Sequence, residues 1–165
     1  RLIQCGEVSD ATDIFRVTSE SPFPCFDLID AAWASHLDKD ADATFLDHVI
    51  DGCNFEIIRL DALKKSHEYG TIRHRSELCT LYIRENKEKF NLNYLAAPSF
   101  LQRKDLRLTV DFPEDLILAR AVYNQFKEKA PTIPLRDIVD FLDQNKRLVE
   151  LIEPHCEAGY ESMYV

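Results

Sequence analysis

A short alternating run leading into a proline-started helix constrains this chain more than any other stretch. It reads Arg107-Leu108-Thr109-Val110-Asp111-Phe112-Pro113-Glu114-Asp115-Leu116. Leu106, Leu108 and Val110 alternate with Arg107 and Thr109, the period-2 pattern of a half-buried strand. Pro113 suits the first position of a helix, where a missing N–H costs nothing. Glu114 and Asp115 fall in the first turn, where the helix dipole favours negative charge. Leu116, Leu118, Ala119, Val122 and Phe126 continue one apolar helical face. The pattern predicts a strand and then a helix, with Asp111 at the carboxyl end of the strand. Ligands bind at such ends in open α/β sheets, and a carboxylate there is a hard-oxygen ligand suited to magnesium. The plainer alternative is that Asp111 helps to cap the helix, and spacing by itself favours that alternative because caps are common.

The remaining segments alternate in type. Leu2 to Cys5 and Asp13 to Val17 read as short strands, joined by a polar turn too brief for a crossover between parallel neighbours. That mismatch leads us to expect a missing segment near residues 10–11. A helix is predicted from Phe26 to Leu37, then an acidic surface turn from Asp38 to Ala43 and a turn signal at Asp51-Gly52. Phe55 to Arg59 reads as a strand, Asp61 to Tyr69 as a helix closed by Gly70, Ser76 to Lys89 as a helix and Leu92 to Leu95 as a strand. Pro134 opens a helix through Leu142, and a last helical piece from Lys146 to Ile152 is expected to end at Pro154. The tail from Glu157 shows no period. Strands alternating with helices indicate an α/β fold with a mainly parallel sheet, and 165 residues suit one domain, 1–165.

Charge and punctuation exclude several function classes. A net charge of −9 argues against a general nucleic-acid or anionic-membrane surface, though a bound divalent cation can still recruit a nucleotide. No apolar run reaches the roughly 20 residues of a membrane span. Four separated glycines build neither a P-loop nor a Rossmann fingerprint. The five scattered cysteines form no zinc pattern and read as reduced thiols, mostly buried, of a cytoplasmic protein. The five histidines share no ligand spacing, so ordinary surface or helix-end roles are expected for them.

Several of these stretches, in order, resemble the cytidylyltransferase-like family, which includes acylneuraminate and deoxy-octulosonate cytidylyltransferases and their spore-coat polysaccharide relatives. Residues 107–116 resemble its R-L-T-V-D-T-P-E-D-L signature, and Arg16-Val17-Thr18-Ser19-Glu20-Ser21-Pro22 its R-x-T-G-D-x-P loop. Asp51 to Glu56 resembles D-G-x-x-x-E, Glu77 to Ile83 resembles E-H-V-T-P-Y-I, and Asp137 to Asn145 the family's ending. The resemblance implies a nucleotidyltransferase fold of the glycosyltransferase-A-like kind, a three-layer α/β/α sandwich. It implies transfer of a cytidine nucleotide from CTP, or another nucleotide, to a sugar acid with magnesium (Mg2+). Asp111 and Glu20 are then the catalytic metal ligands, with Arg16, Glu56 and Arg75 as substrate-binding candidates and a homodimer as the expected assembly. Three departures stand out. Glu20 replaces an aspartate, Leu78 replaces a histidine, and the family's basic amino-terminal nucleotide loop has no counterpart. An incomplete catalyst is expected on that last ground. The alternatives are a non-catalytic sugar- or partner-binding relative and a nucleotide-sugar-dependent glycosyltransferase.

Overall fold

The structure, a computed structural model, describes the backbone of residues 1–163 and the side chains of residues 1–157. In chain order the elements are α1 (Leu2–Val8), β1 (Asp13–Arg16), α2 (Ile29–Asp38), β2 (Ala43–Phe45), β3 (Glu56–Arg59) and α3 (Leu60–Tyr69). They continue with α4 (Leu81–Glu85), β4 (Leu92–Tyr94), α5 (Pro113–Phe126), α6 (Leu135–Gln144) and α7 (Lys146–Met163). The four strands lie in the order β1-β3-β2-β4.

The pleat divides the core in two. On β3, Ile57 and Ile58 point to opposite faces, and their antiparallel partners Phe15 and Ile14 on β1 follow them. Ile57 and Phe15 join Ala32 of α2, Leu118 and Val122 of α5, Ile138 and Leu142 of α6 and Ile152 of α7. Ile58 and Ile14 join Leu2 and Ile3 of α1, Ala62 and Leu63 of α3 and Tyr82 and Ile83 of α4. Helices cover both faces of the sheet, so the α/β/α sandwich is present.

Within that class the sheet is mixed rather than mainly parallel. β3 runs antiparallel to β1 and to β2, and only β2 and β4 are parallel. The connection between β2 and β3, residues 46–55, is too short to carry a crossover helix, so β3 must return antiparallel. Leu2 to Cys5 is helical, not a strand, because four residues cannot distinguish a buried turn of helix from a strand and these pack Leu2 and Ile3 under the sheet. With a helix before the turn there are no parallel strands to join at residues 10–11, and the ground for expecting a missing segment there falls away.

Other boundaries move for identifiable reasons. The expected helix from Ser76 contracts to α4 and a 3-10 turn at Lys87–Lys89, with Thr80 at the N-cap of α4 and its hydroxyl bonded to the buried Glu56. β2 escaped the pattern altogether, being fully buried and only three residues long. Gly70 ends α3 in an extended conformation rather than a left-handed one. Pro154 does not end α7: Ile152 and Cys156 are buried on either side of it, and that burial outweighs the lost helical hydrogen bond. Helix therefore replaces the expected aperiodic tail up to Met163, and residues 164–165 lie outside the described residues. α5 starts at Pro113 as expected and buries Leu118 and Val122, but Leu116 is exposed. Among the described residues no helix is long and apolar enough to cross a membrane.

Candidate functional site

Asp111 does not follow a ladder strand. Residues 106–110 are extended but share a single parallel bridge, Arg107 with Asp51, and Leu106 through Thr109 are buried on both sides. The segment is stitched instead between two loops. Leu108 N–H donates to the Asp51 carbonyl at 2.7 Å, and Val110 N–H donates to the Glu20 carbonyl at 2.9 Å. Gly52 makes the first contact possible. Its φ is +87°, and a Cβ at that position would stand 2.3 Å from the Thr109 nitrogen. The alternation in the sequence is real, but backbone partners come from loops, which no local pattern can announce.

These stitches bring the loop after β1, the Asp51 turn and the start of α5 around one cleft of about 440 Å³. Glu20, Asp111, Arg16 and Glu56, four of the five residues singled out in the sequence, line it. Arg75 does not. It lines a separate hollow beside α1 and α3 with His67 and His74, because the segment carrying it turns away from the cleft after α3.

Arg107 organises the cleft wall. Its guanidinium, in a residue only 3% exposed, donates through Nε to Asp115 at 2.9 and 3.1 Å and through Nη1 to Asp51 at 2.8 Å, while Nη2 holds Asp111. Asp115 in turn accepts the backbone N–H groups of Asp111 and Phe112, both at 3.0 Å, which caps α5. The cap that the sequence suggested at Asp111 is thus made by Asp115, leaving the Asp111 carboxylate, 48% exposed, at the cleft. Burial by itself would raise Asp115, but the bonds from Arg107 and the two amides win and hold its carboxyl below the usual range. Asp51 goes the other way: burial raises it, and Arg107 only partly offsets that and the neighbouring carboxylates.

A second buried network faces the first. Glu56, 2% exposed, accepts from Arg16 at 2.9 Å, from Thr80 at 2.7 Å and from Arg84 at 3.0 Å. Arg84 also grips Asp47 with two bonds of 2.8 and 3.1 Å and lies 3.8 Å over the Phe45 ring. Sequence reasoning found Arg16 and Glu56 but missed Arg84, Asp47 and Asp51. The local signal at Arg84 is a charge beside the apolar Ile83, and at Asp51 it is the Asp51-Gly52 turn. It also missed the wall made by α7, where His155 stacks on Phe112 with ring centroids 4.0 Å apart and planes 12° from parallel. His36 takes the helix-end place expected of it, in the last turn of α2, but not a surface one. It is fully buried between α2 and the sheet, bonded to Thr44 and Asp13.

With this geometry in view, the chain can be set beside known proteins. It is 31% identical over 135 residues to an uncharacterised protein of Methanocaldococcus jannaschii, covering 82% of this chain and 55% of the relative. It is 25% identical over 146 residues to the spore coat polysaccharide biosynthesis protein SpsF of Bacillus subtilis, covering 88% of this chain and 60% of that protein. Its fold matches the solved structure of a cytidylyltransferase from Leptospira borgpetersenii serovar Hardjo-bovis with a TM-score of 0.78, at 19% identity, over 89% of this chain and 62% of the other. The fold is cytidylyltransferase-like. No protein-family model matches it. The chain spans little more than half the length of the two curated relatives.

In this fold the cleft is anionic on one side and balanced on the other. Arg107 offers one positive charge to three carboxylates, with Glu20 as a further negative charge nearby, whereas Arg16 and Arg84 match Glu56 and Asp47. Glu20, Asp51 and Asp111 are hard-oxygen donors lining one space, a set suited to a hard divalent cation. Among the described residues no three His, Cys, Asp or Glu side chains converge into a ready-made metal cage.

Proposed function

We propose that the protein transfers a cytidine nucleotide to a sugar or sugar acid for polysaccharide biosynthesis, releasing pyrophosphate, with CTP as the donor. The observation that supports this reading is that Glu20 and Asp111 open on the same cleft, their loops tied by the Val110–Glu20 backbone bond. The likeness to a polysaccharide biosynthesis protein and to a cytidylyltransferase fold points the same way. Asp111 and Glu20 are the residues that would hold magnesium, which characteristically takes one or two carboxylates and completes its shell with water and substrate phosphates. Bound there, the cation would supply Lewis-acid stabilisation of charge on the phosphate oxygens as the sugar hydroxyl attacks.

The chain's own residues set up the site. Arg107 fixes the Asp111 carboxylate through one oxygen, Oδ2, which also receives the Thr109 hydroxyl at 3.3 Å, so the side chain is held before any ligand arrives. On the opposite wall Glu56 pins Arg16 and Arg84, giving the acceptor side a rigid, nearly neutral floor suited to hydroxyl-rich ligands. A homodimer and a cytoplasmic location belong to the same proposal.

The test is Asp111→Asn assayed for magnesium-dependent pyrophosphate release from CTP with candidate sugar acids. The expected loss is a hundredfold or more, on the order of 3 kcal/mol of transition-state stabilisation, with the fold unchanged. An unaltered rate removes Asp111 from the mechanism. A second reading, a sugar-binding relative without turnover, is favoured by one feature: Arg16, Arg84 and Arg107 are all committed to carboxylates, leaving none of them spare for a triphosphate. Sugar-acid binding without any pyrophosphate release from the unmodified protein would select it.

A further inference from the structure

The commitment of the three arginines raises the question of which group in the cleft receives an anion. We propose that His155 is a ligand-contacting residue that hydrogen-bonds a phosphate oxygen of a phosphorylated ligand in this cleft. The proposal deepens the nucleotidyltransferase reading and rests on it for the identity of the substrate, though not for the contact itself.

Three observations carry it. First, His155 lines the same cleft as Asp111 and Glu20 although it comes from α7, far along the chain from both. Secondly, the imidazole makes no hydrogen bond to any described residue. Among the described residues it stands at ion-pair distance from Glu114 of α5, with Nε2 and Oε2 separated by 3.9 Å, beyond hydrogen-bond reach. Each of the cleft's arginines, by contrast, already donates to one or more carboxylates at hydrogen-bond distance. Thirdly, the ring is held in place: it stacks on Phe112, the residue following Asp111, and Phe112 also carries the Arg107 guanidinium 5.4 Å from its ring centroid. A donor whose ring is oriented by stacking and whose nitrogens have no hydrogen-bond partner among the described residues is arranged to meet a ligand. Its chemistry suits the phosphate oxygens that a cation at Asp111 and Glu20 would bring into the cleft.

The experiment compares the unmodified protein with His155→Phe and His155→Gln. Phenylalanine preserves the flat stack on Phe112 and removes both nitrogens; glutamine keeps an N–H donor and removes the ring. Binding of inorganic pyrophosphate with magnesium is followed by calorimetry, and KM for CTP and kcat are measured separately. We expect His155→Phe to weaken pyrophosphate binding and raise the nucleotide KM roughly tenfold, the worth of one charge-assisted hydrogen bond, with thermal stability unchanged. His155→Gln should recover part of the loss. Pyrophosphate affinity and KM unchanged in His155→Phe overturn the proposal and assign the residue to packing. If the unmodified protein releases no pyrophosphate from CTP yet binds it in a His155-dependent way, the cytidylyl-transfer reading fails and the phosphate contact stands. If Asp111→Asn abolishes turnover while His155→Phe matches the unmodified protein, the contact fails and the reaction stands.

Discussion

Replacing Arg107 by methionine should unfold the protein far more easily at neutral pH than in acid. The side chain donates to three carboxylates at once, and these differ in burial: the Asp115 side chain is fully buried, Asp51 is 14% exposed and Asp111 is 48% exposed. Methionine fills much of the same volume, so the cost is chiefly that of leaving charge unpaired. Breaking a buried pair costs about 3–5 kcal/mol, while the half-exposed Asp111 pair contributes at most about 1 kcal/mol. Asp115 keeps its two backbone donors, which softens the loss. We therefore expect about 4 kcal/mol at pH 7, a fall in Tm of about 8–16 °C for a chain of this size.

The pH dependence tests the cause. Asp115 has its folded pKa lowered, so its contribution is present above the unfolded value near 3.8 and is lost as pH falls through the folded value. Asp51 is raised, so its ionised form opposes folding at neutral pH and protonation on acidification relieves it. Without Arg107 both carboxyls take up protons at higher pH than in the parent. The gap between parent and variant should shrink in acid and go on shrinking as pH falls through the lowered folded value of Asp115. Urea denaturation across pH 3 to 7 gives both curves. A loss under about 1 kcal/mol at pH 7, or a gap that widens in acid, would refute the view of Arg107 as the charge that holds this wall together. Adding Asp115→Asn should restore part of the loss, since it removes the charge most deeply stranded.

Two further expectations follow from other parts of the fold. Gly52→Ala should destabilise by several kcal/mol, because the new Cβ meets the backbone at Thr109 and the residue is held at positive φ; an alanine variant with unchanged Tm and an intact cleft would contradict the close approach. Thiol labelling of the native protein should proceed quickly at Cys5, which is exposed. It should be slow at Cys25, Cys53 and Cys156, which are buried, and at Cys79, whose thiol burial pushes up to about 11. All five should react after denaturation, and rapid native labelling of Cys53 would contradict its burial.

What the sequence determined by itself is local. The proline-led start of α5, with its acidic first turn, needs only the preference of a helix N-terminus for Pro and negative charge, and it appears at Pro113 as expected. The same holds for α6, whose apolar residues Leu135, Ile138, Val139 and Leu142 recur at helical spacing and are all buried. The grouping of Glu20, Asp111, Arg16 and Glu56 was implied by the family resemblance and its motif order, and all four line one cleft. What only the tertiary structure decided concerns partners distant along the chain. Whether residues 106–110 join a ladder or are stitched to loops depends on which backbone carbonyls lie opposite, and Asp51 and Glu20 supply them. The direction of β3 was set by the short return from β2, and the continuation of α7 through Pro154 by burial on both sides of the proline. The same is true of the cleft's charge: an arginine in a sequence is a free cation, and only the fold shows that Arg16, Arg84 and Arg107 already donate to carboxylates at hydrogen-bond distance. Propensity and periodicity act over a few residues, whereas an ion pair's partner is fixed by where the chain returns, and that is a property of the packed whole.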